Sequence, residues 1–353
     1  MEALRIDSAD IGLPGAGPRA TSDTARLAGE IASQKMRLRP YCAARTVLSD
    51  IRPIVEISQQ VGIAIEVAAF VGTSPIRQYA EDWDLDTILK RSETAVRFAV
   101  GEGLPVMFVT EDTTRSRPDV VRKIYSEAIS WGAQAVVLCD TVGHATPSGA
   151  RKLVRFVRDE VVARCKTPIR IDWHGHNDRG LAVINAIAAF EAGADQLHGT
   201  GLGIGERVGN TPMDLLLVNM RLMGHIKEDL SRLKEYCLAI SEATDVPIVS
   251  SYPVIGPDAF RTGTGVHAAA VIKALRKGDV ELANLVYSGV PSHWFGLEQR
   301  IEIGPMSGKS NVEYWLEKHG LPAGERAVDR IFAKAKSSDH VLTESEILAE
   351  IGD

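Results

Sequence analysis

Two histidines stand two residues apart in the stretch DWHGHNDRGLA, where an apolar run ends. The preceding segment PIRIDW is typical of a β-strand, and alternate residues of a strand point to the same side. His174 and His176 are therefore expected to project together from the end of that strand. Neutral imidazoles bind divalent metals, so a metal site is one interpretation. Two solvated or capping histidines, where a strand meets a loop, are the other.

A glycine-rich loop lies one strand and one helix further on, in the stretch ADQLHGTGLGIGERVGNTP. Its glycines allow the backbone to take positive φ and to approach a ligand closely. Asn210 offers a carbonyl oxygen of the kind that hard cations accept, and Glu206 and Arg207 add one charge of each sign. A tight solvent loop is the alternative. The loop follows the next predicted strand after the histidines, so in a parallel sheet it would lie at the neighbouring strand end, close to them.

Two further predicted strand ends and one helix start carry polar side chains. The stretch FVTEDTTRSRPD could serve a site or cap the helix that follows, and the residues favour neither explanation. His267, in TGTGVHAAA, opens a later helix, where a lone histidine is usually polar surface. The strand-end residues are Glu111, Asp112, Thr114 and Arg115 in FVTEDTTRSRPD, and Asp140 and Thr141 in LCDTVGHATP.

Apolar runs alternate with amphipathic segments through the first two thirds of the chain, which predicts parallel βαβ units. The period of about 30 residues matches a (β/α)8 TIM barrel, whose functional side chains lie at the C-terminal ends of strands. Only seven strands are predicted, so one βα unit is expected to be missing from the N-terminus. The predicted strands are Ile6–Leu13, Met36–Cys42, Ile63–Phe70, Pro105–Val109, Ala135–Cys139, Ile169–Trp173 and Gln196–Thr200.

The alternation stops after about residue 225. The stretch HIKEDLSRLKEYCLAISEATDVP predicts a helix, and smaller helices are predicted in ELANLVYSG, SNVEYWLEKHG and the C-terminal segment. The sequence therefore predicts an α/β fold with two parts: a TIM-barrel catalytic domain over residues 1–225 and a helical C-terminal subdomain over residues 226–353.

The composition is typical of a globular protein and argues against nucleic-acid-binding, membrane-spanning and secreted proteins. The 353 residues are 45% hydrophobic and 24% charged, with a net charge of −6. An acidic balance does not favour a nucleic-acid or anionic-membrane partner. No apolar run is long enough for a membrane span, and the start MEALRIDSAD lacks the features of a secretory signal. The four cysteines form no CxxC pair, which favours buried thiols in a reducing cytoplasm.

The stretch GAGPRA, residues 15–20, matches the dinucleotide-binding pattern G-x-G-x-x-A after a predicted strand. Pro18 interrupts the pattern, and no acidic residue stands at the end of the next predicted strand, where such a site needs one. A nicotinamide-dependent enzyme is therefore disfavoured.

Three segments in order, HGHNDRGLA, HGTGLGIGERVGNTP and TGVHAAA, resemble the 2-isopropylmalate synthase and homocitrate synthase family of metal-dependent TIM-barrel acyltransferases. DIGLPGAGP, FVTEDTTRS and CDTVGHATP resemble the family's second, fifth and sixth strand segments. The likeness runs from about residue 4 to about residue 320. It implies a homodimer, because the helical appendage in this family covers the active site of the partner subunit.

The resemblance also implies a role for each matching residue. Metal ligands would be His174, His176 and Asn210; Thr141, Thr200 and Arg207 would bind substrate; and His267, Tyr287 and Glu206 would serve catalysis.

The implied reaction is a Claisen condensation of acetyl-CoA with a 2-oxo acid, 2-oxoisovalerate being the best candidate, followed by thioester hydrolysis. A divalent metal (Mg, Mn or Zn) would polarise the ketone. A base acting through His267 would remove a proton from the acetyl methyl group. Homocitrate, citramalate and benzylmalate synthase activities remain alternatives, since these substrates differ in few pocket contacts.

The chain departs from the family at one end and differs from many members at the other. The family's first strand ends in an Arg-Asp-Gly segment that supplies a metal-binding Asp, and no such segment occurs here. A start codon placed too late explains this better than a true truncation, because the other motifs are intact. The leucine-sensing domain of many 2-isopropylmalate synthases is also not expected.

Two other functions compete with the synthase. Related barrels that cleave 3-hydroxy-3-methylglutaryl-CoA carry a cysteine in the glycine-rich loop; this loop has none, and Glu206 and Arg207 favour a synthase. A non-catalytic truncated homologue is the third possibility, supported only by the missing strand.

Overall fold

The computed structural model describes residues 1–351, which form two compact units. The first unit runs from Met1 to Ile226, and the second begins at Lys227. Each unit has a hydrophobic core of its own.

The first unit is built on a parallel sheet of seven strands within the described residues, each strand paired with the next along the chain. The Gln196 side chain on the last strand donates a hydrogen bond to Ser8 Oγ on the first, at 3.2 Å. A flat seven-stranded sheet would hold them about 29 Å apart, at about 4.8 Å per strand, so the sheet is curled. The strands are β1 (Ser8–Asp10), β2 (Arg39–Arg45), β3 (Glu66–Gly72), β4 (Val106–Glu111), β5 (Ala135–Asp140), β6 (Arg170–Gly175) and β7 (Gln196–Leu197).

Helices follow the strands and cover the outer face of the sheet. Alternate residues of the strands point outward, such as Cys42 and Ala44 on β2, and pack with the helices in the largest hydrophobic core. This arrangement confirms the parallel α/β barrel fold class. The helices are α1 (Pro18–Ser33), α2 (Leu48–Val61), α3 (Pro75–Glu81), α4 (Leu85–Gly101), α5 (Pro118–Ser130), α6 (Pro147–Glu160), α7 (Ala182–Glu191) and α8 (Met213–Leu222).

Local signals set several of these boundaries. Asp84 caps α4 by accepting a hydrogen bond from the Thr87 amide at 2.7 Å, the usual role of an aspartate that precedes a helix. Pro118 occupies the first turn of α5, where its missing N–H costs no intrahelical hydrogen bond. Each predicted strand overlaps an observed one, with most ends displaced by one to three residues.

The second unit is mainly helical, but it also contains two short parallel strands, β8 (Arg261–Thr262) and β9 (Arg300–Ile301). The sequence predicts a helical subdomain from residue 226 onward and does not predict these two strands. Two-residue strands leave no alternation to read in a sequence. The helices are α9 (Leu233–Thr244), α10 (Gly265–Arg276), α11 (Val280–Tyr287), α12 (Lys309–Lys318), α13 (Glu325–Ser337) and α14 (Glu344–Ala349).

The helix predicted from His225 onward begins only at Leu233. Asp229 explains the delay, because its carboxylate accepts hydrogen bonds from the Ser231 amide and hydroxyl at 2.9 and 3.0 Å. Such local bonds compete with helical ones and hold the backbone in a turn.

No helix within residues 1–351 has both the length and the apolar character needed to cross a membrane.

Candidate active site

Strand β6 brings the two histidines together. The rings of His174 and His176 lie 5.3 Å apart between centroids, at 74° to each other. His176 follows the strand directly and forms an isolated antiparallel bridge with Asn210. The structure thus unites the three residues predicted as metal ligands.

The glycine-rich loop reaches Asn210 because two glycines let it fold tightly. A Cβ on Gly209, whose φ is +96°, would lie 1.8 Å from the Gly203 carbonyl oxygen. A Cβ on Gly205 would lie 2.2 Å from the Asn210 amide nitrogen. Any larger side chain would displace Asn210, so these glycines position a candidate ligand.

Among the candidate site residues, three buried polar atoms have no hydrogen-bond partner within residues 1–351: His176 Nδ1, Asn210 Oδ1 and Thr200 Oγ1. Leaving a buried polar atom unsatisfied costs about 1–3 kcal/mol, so such atoms call for an explanation. An imidazole nitrogen and an amide oxygen, on two residues joined by a backbone bridge, are both ligands that a divalent cation accepts. The residues present therefore fit a metal.

The candidate ligand set contains no carboxylate. In the part of the chain that the structure describes, no group of three or more His, Cys, Asp or Glu side chains is arranged to hold a metal. A metal here would depend on His174, His176 and the amide oxygen of Asn210, with its remaining positions open to water or substrate.

Both histidines are kept neutral, which is the metal-binding form of imidazole. Burial, with the nearby His198 and His176, lowers the pKa of His174 to about 3. Burial and the charge of Arg207 also lower the pKa of His176. Near pH 7 the candidate ligands need lose no proton before a cation binds.

The two charged residues of the glycine-rich loop lie in different surroundings. Arg207 lies at the rim, meaning the loops that follow the C-terminal ends of the strands, whereas Glu206 faces solvent. Arg207 pairs with Asp178 at 2.8 Å and donates a hydrogen bond to the carbonyl oxygen of Thr141 at 2.7 Å. The Glu206 side chain is exposed. The Thr141 hydroxyl accepts a hydrogen bond from the Asp112 amide at 2.8 Å. Thr141 and Arg207, both predicted to bind substrate, therefore meet on the rim.

The polar residues after β4 brace the rim. Arg115 forms a two-pronged ion pair with Asp112, and Thr114 donates a hydrogen bond to the buried Asp140 at 3.1 Å. No side chain caps α5 within the described structure, so the helix-capping explanation is wrong. Glu111 lies at the end of β4, and burial raises the pKa of its carboxyl.

Sequence reasoning missed a charged network inside the curl of the sheet, directly below His174. Arg170 bridges Glu66 at 3.0 Å and Asp172 at 2.8 Å, and Asp172 also meets His198 Nε2 at 3.3 Å. The His198 ring lies 5.7 Å from that of His174. The signal was present, because Arg170, Asp172 and His174 alternate along β6 and so share one face.

His267 and Tyr287 lie in the second unit. His267 is in the first turn of α10 and Tyr287 ends α11, and their rings lie 4.1 Å apart. Both side chains are exposed. Their catalytic roles remain predictions.

The HMGL-like family matches residues 1–238, about two thirds of the chain. The chain belongs to the HMGL-like family. It is similar to a probable 2-isopropylmalate synthase of Methanopyrus kandleri, with 29% identity over 95% of this chain and 63% of the relative. It is also similar to the homocitrate synthase AksA of Methanosarcina mazei, with 30% identity over 91% of this chain and 77% of the relative.

Solved structures support this family fold. The hydroxymethylglutaryl-CoA lyase of Pseudomonas aeruginosa superposes with a TM-score of 0.57 and 19% identity, over 69% of this chain and 83% of the lyase. The chain spans about half to two thirds of the length of several curated HMGL-like synthases, including 51% of the 2-isopropylmalate synthase of Methanocaldococcus jannaschii.

Proposed function

We propose that this HMGL-like chain condenses acetyl-CoA with a 2-oxo acid, and that 2-oxoisovalerate is its preferred substrate. The observation that carries the proposal is the set of partnerless buried atoms on His176, Asn210 and Thr200. Relatives named as 2-isopropylmalate and homocitrate synthases support the same reaction class. The choice of 2-oxoisovalerate rests on overall likeness, since homocitrate, citramalate and benzylmalate synthases share that class.

His174, His176 and Asn210 would hold a divalent cation: Mg, Mn or Zn. When bound, the cation would supply Lewis-acid polarisation of a ketone oxygen. Thr200 adds a hydroxyl whose oxygen is buried and has no partner among residues 1–351. That hydroxyl can donate to the carboxylate of a 2-oxo acid, which would fix the orientation of the substrate.

The base that takes a proton from the acetyl methyl group would act through His267. Tyr287 packs against the face of the His267 ring, which limits the ring's rotation, and both residues are open to solvent. Glu206 and Arg207 would border the substrate from the glycine-rich loop. We propose a homodimer in which the second unit of one subunit supplies His267 and Tyr287 to the other.

The test is the release of CoA thiol from acetyl-CoA in the presence of 2-oxoisovalerate, 2-oxoglutarate or pyruvate, each with Mg²⁺, Mn²⁺ or Zn²⁺. The proposal expects release that depends on both the metal and the 2-oxo acid, fastest with 2-oxoisovalerate. Faster turnover of another 2-oxo acid would reassign the substrate and keep the reaction. Cleavage of 3-hydroxy-3-methylglutaryl-CoA without condensation would instead indicate a lyase.

A further inference from the structure

A cavity of about 430 Å³ opens at the N-terminal ends of the barrel strands. We call it the lower pocket. The candidate metal ligands lie toward the opposite, C-terminal ends, where barrel active sites are found. The lower pocket is therefore a separate site, and no functional role predicted from the sequence falls on it. Its lining includes residues at, or directly before, the starts of β2 to β6: Arg39, Glu66, Pro105, Gln134 and Arg170.

Positive charge dominates the lower pocket. The chain as a whole carries a net charge of −6, so the local surplus of cations runs against the overall balance. A cleft lined by charges of one sign concentrates ions of the opposite sign, and low-dielectric walls strengthen this effect. The pocket therefore favours an anion. Four cationic side chains line it beside the single carboxylate of Glu66: Lys35, Arg37, Arg39 and Arg170.

Three of these cations keep donors that no protein group uses. In the part of the chain that the structure describes, the Arg39 guanidinium and the Lys35 ammonium make no ion pair and no hydrogen bond, and both side chains are exposed. Arg170 donates to Asp172 from Nε at 2.8 Å and to Glu66 from Nη2 at 3.0 Å. Its Nη1 is left without a partner among the described residues. The Glu66 carboxylate is already neutralised by Arg170, so Arg39 and Lys35 stay uncompensated.

The kinds of cation indicate which anion fits. A planar guanidinium matches the oxygens of a phosphate in pairs, and a lysine ammonium adds a compact point charge. A monocarboxylate would leave several of these donors unused. The buried side chains of Ile31 and Leu38 give the pocket an apolar wall, which keeps water from one side of a bound anion. An anion with several phosphate oxygens therefore fits the lower pocket best.

We propose that the lower pocket binds a small diphosphate, either free or esterified to a short apolar group. Arg39 and Lys35 would pair with the oxygens of one phosphate, and Nη1 of Arg170 would donate to the other. The apolar wall would border the bridging oxygen or the ester group. This site uses none of the candidate metal ligands, so it stands independently of the proposed condensation.

The experiment is titration calorimetry of the full, metal-free chain with inorganic pyrophosphate, butyl diphosphate and orthophosphate. The proposal expects one site per chain, with orthophosphate binding most weakly because it reaches fewer cations. Tighter binding of butyl diphosphate than of pyrophosphate would indicate an esterified ligand, and the reverse order a free one.

Arg39→Gln and Lys35→Gln are each expected to weaken pyrophosphate binding about tenfold, the size of one charge-assisted contact. Both side chains are exposed, so the variants should fold. Arg155→Gln is the matched control, since it removes an exposed cation of α6 that does not line the lower pocket. His176→Ala, at the other end of the barrel, should bind pyrophosphate as the unaltered chain does.

Equal pyrophosphate affinity in Arg39→Gln, Lys35→Gln and Arg155→Gln would overturn the inference. Loss of binding in His176→Ala alone would assign the anion to the candidate active site and overturn it as well. The same holds if the unaltered chain shows no saturable binding of either diphosphate. Each of these outcomes leaves the proposed condensation standing, because that reaction is tested by CoA release.

Discussion

The two sides of the barrel interior differ in the interactions that hold their side chains in place. On β3, β4 and β5 the inward residues include Ala68, Met107 and Val137, which form a small apolar cluster. On β6 the inward residues are Arg170, Asp172 and His174. The apolar side is held by packing, whereas the polar side is held by paired charges. The candidate metal ligands stand above the side whose geometry is fixed by directional bonds.

Arg170 shows how the polar side tolerates burial. Burial opposes its charge, but the hydrogen bonds and charges of Asp172 and Glu66 outweigh this effect and raise its pKa. A buried ion network adds little net stability, but losing one partner is expensive. We infer that this network serves to fix the floor of the site.

The largest effect is expected from His176→Ala. Losing a candidate ligand should lower kcat/KM for the condensation by about 10³-fold, the equivalent of several kcal/mol of charge stabilisation. Any fall in the urea midpoint should reflect only the cavity left by the buried side chain, because His176 Nδ1 has no hydrogen-bond partner to lose within residues 1–351. His225→Ala, outside the site, is the control, and activity within tenfold of the unaltered chain would reject the ligand role.

Asp172→Asn should destabilise the fold by about 3–5 kcal/mol, because it leaves the buried Arg170 charge only half compensated. Urea unfolding measures the change. Glu191→Gln, which breaks the exposed pair between Arg151 and Glu191, should cost at most about 1 kcal/mol. Equal losses in the two variants would mean that the interior network is no more critical than a surface pair.

Met107→Ala probes the apolar side and should cost about 2–3 kcal/mol through the cavity it leaves. Its kcat/KM should stay within threefold of the unaltered value, because packing on this side does not orient the histidines. Met107→Leu should cost less than about 1.5 kcal/mol. A large loss of activity in Met107→Ala would erase the contrast between the two sides.

The smallest effect is the pH dependence of stability in the metal-free chain. The pKa of His174 is lowered to about 3 from 6.5, so below pH 6.5 the unfolded chain binds a proton that the folded chain does not. Stability should therefore fall as the pH drops, by at most about 2 kcal/mol between pH 8 and pH 5. His174→Gln should lose this slope, and identical slopes would contradict the neutral state of His174.

Much of this arrangement could be predicted from the sequence. The period of the βα units located all seven strands of the first unit, and the i, i+2 spacing of His174 and His176 placed them together. Asn210 could be placed near these histidines because consecutive strand ends of a parallel barrel are neighbours. Each of these signals lies within one or two βα units of chain.

The remainder depends on contacts between distant segments. Arg170 meets Glu66 across 104 residues, and no local pattern identifies such a pair. The partnerless state of Thr200 Oγ1 is likewise a property of packing. The strands β8 and β9 are too short to show a period, and the turn at Asp229 interrupts a segment whose apolar spacing predicts a helix.

The most direct test is a titration of the metal-free chain with Mn²⁺, followed by electron paramagnetic resonance. The proposed site predicts one tightly bound Mn²⁺ per chain, lost in Asn210→Ala and retained in Asn219→Ala, a matched change on α8. If the unaltered chain binds no Mn²⁺, or if Asn210→Ala binds it equally well, then the partnerless atoms that follow β6 and β7 do not mark a metal site.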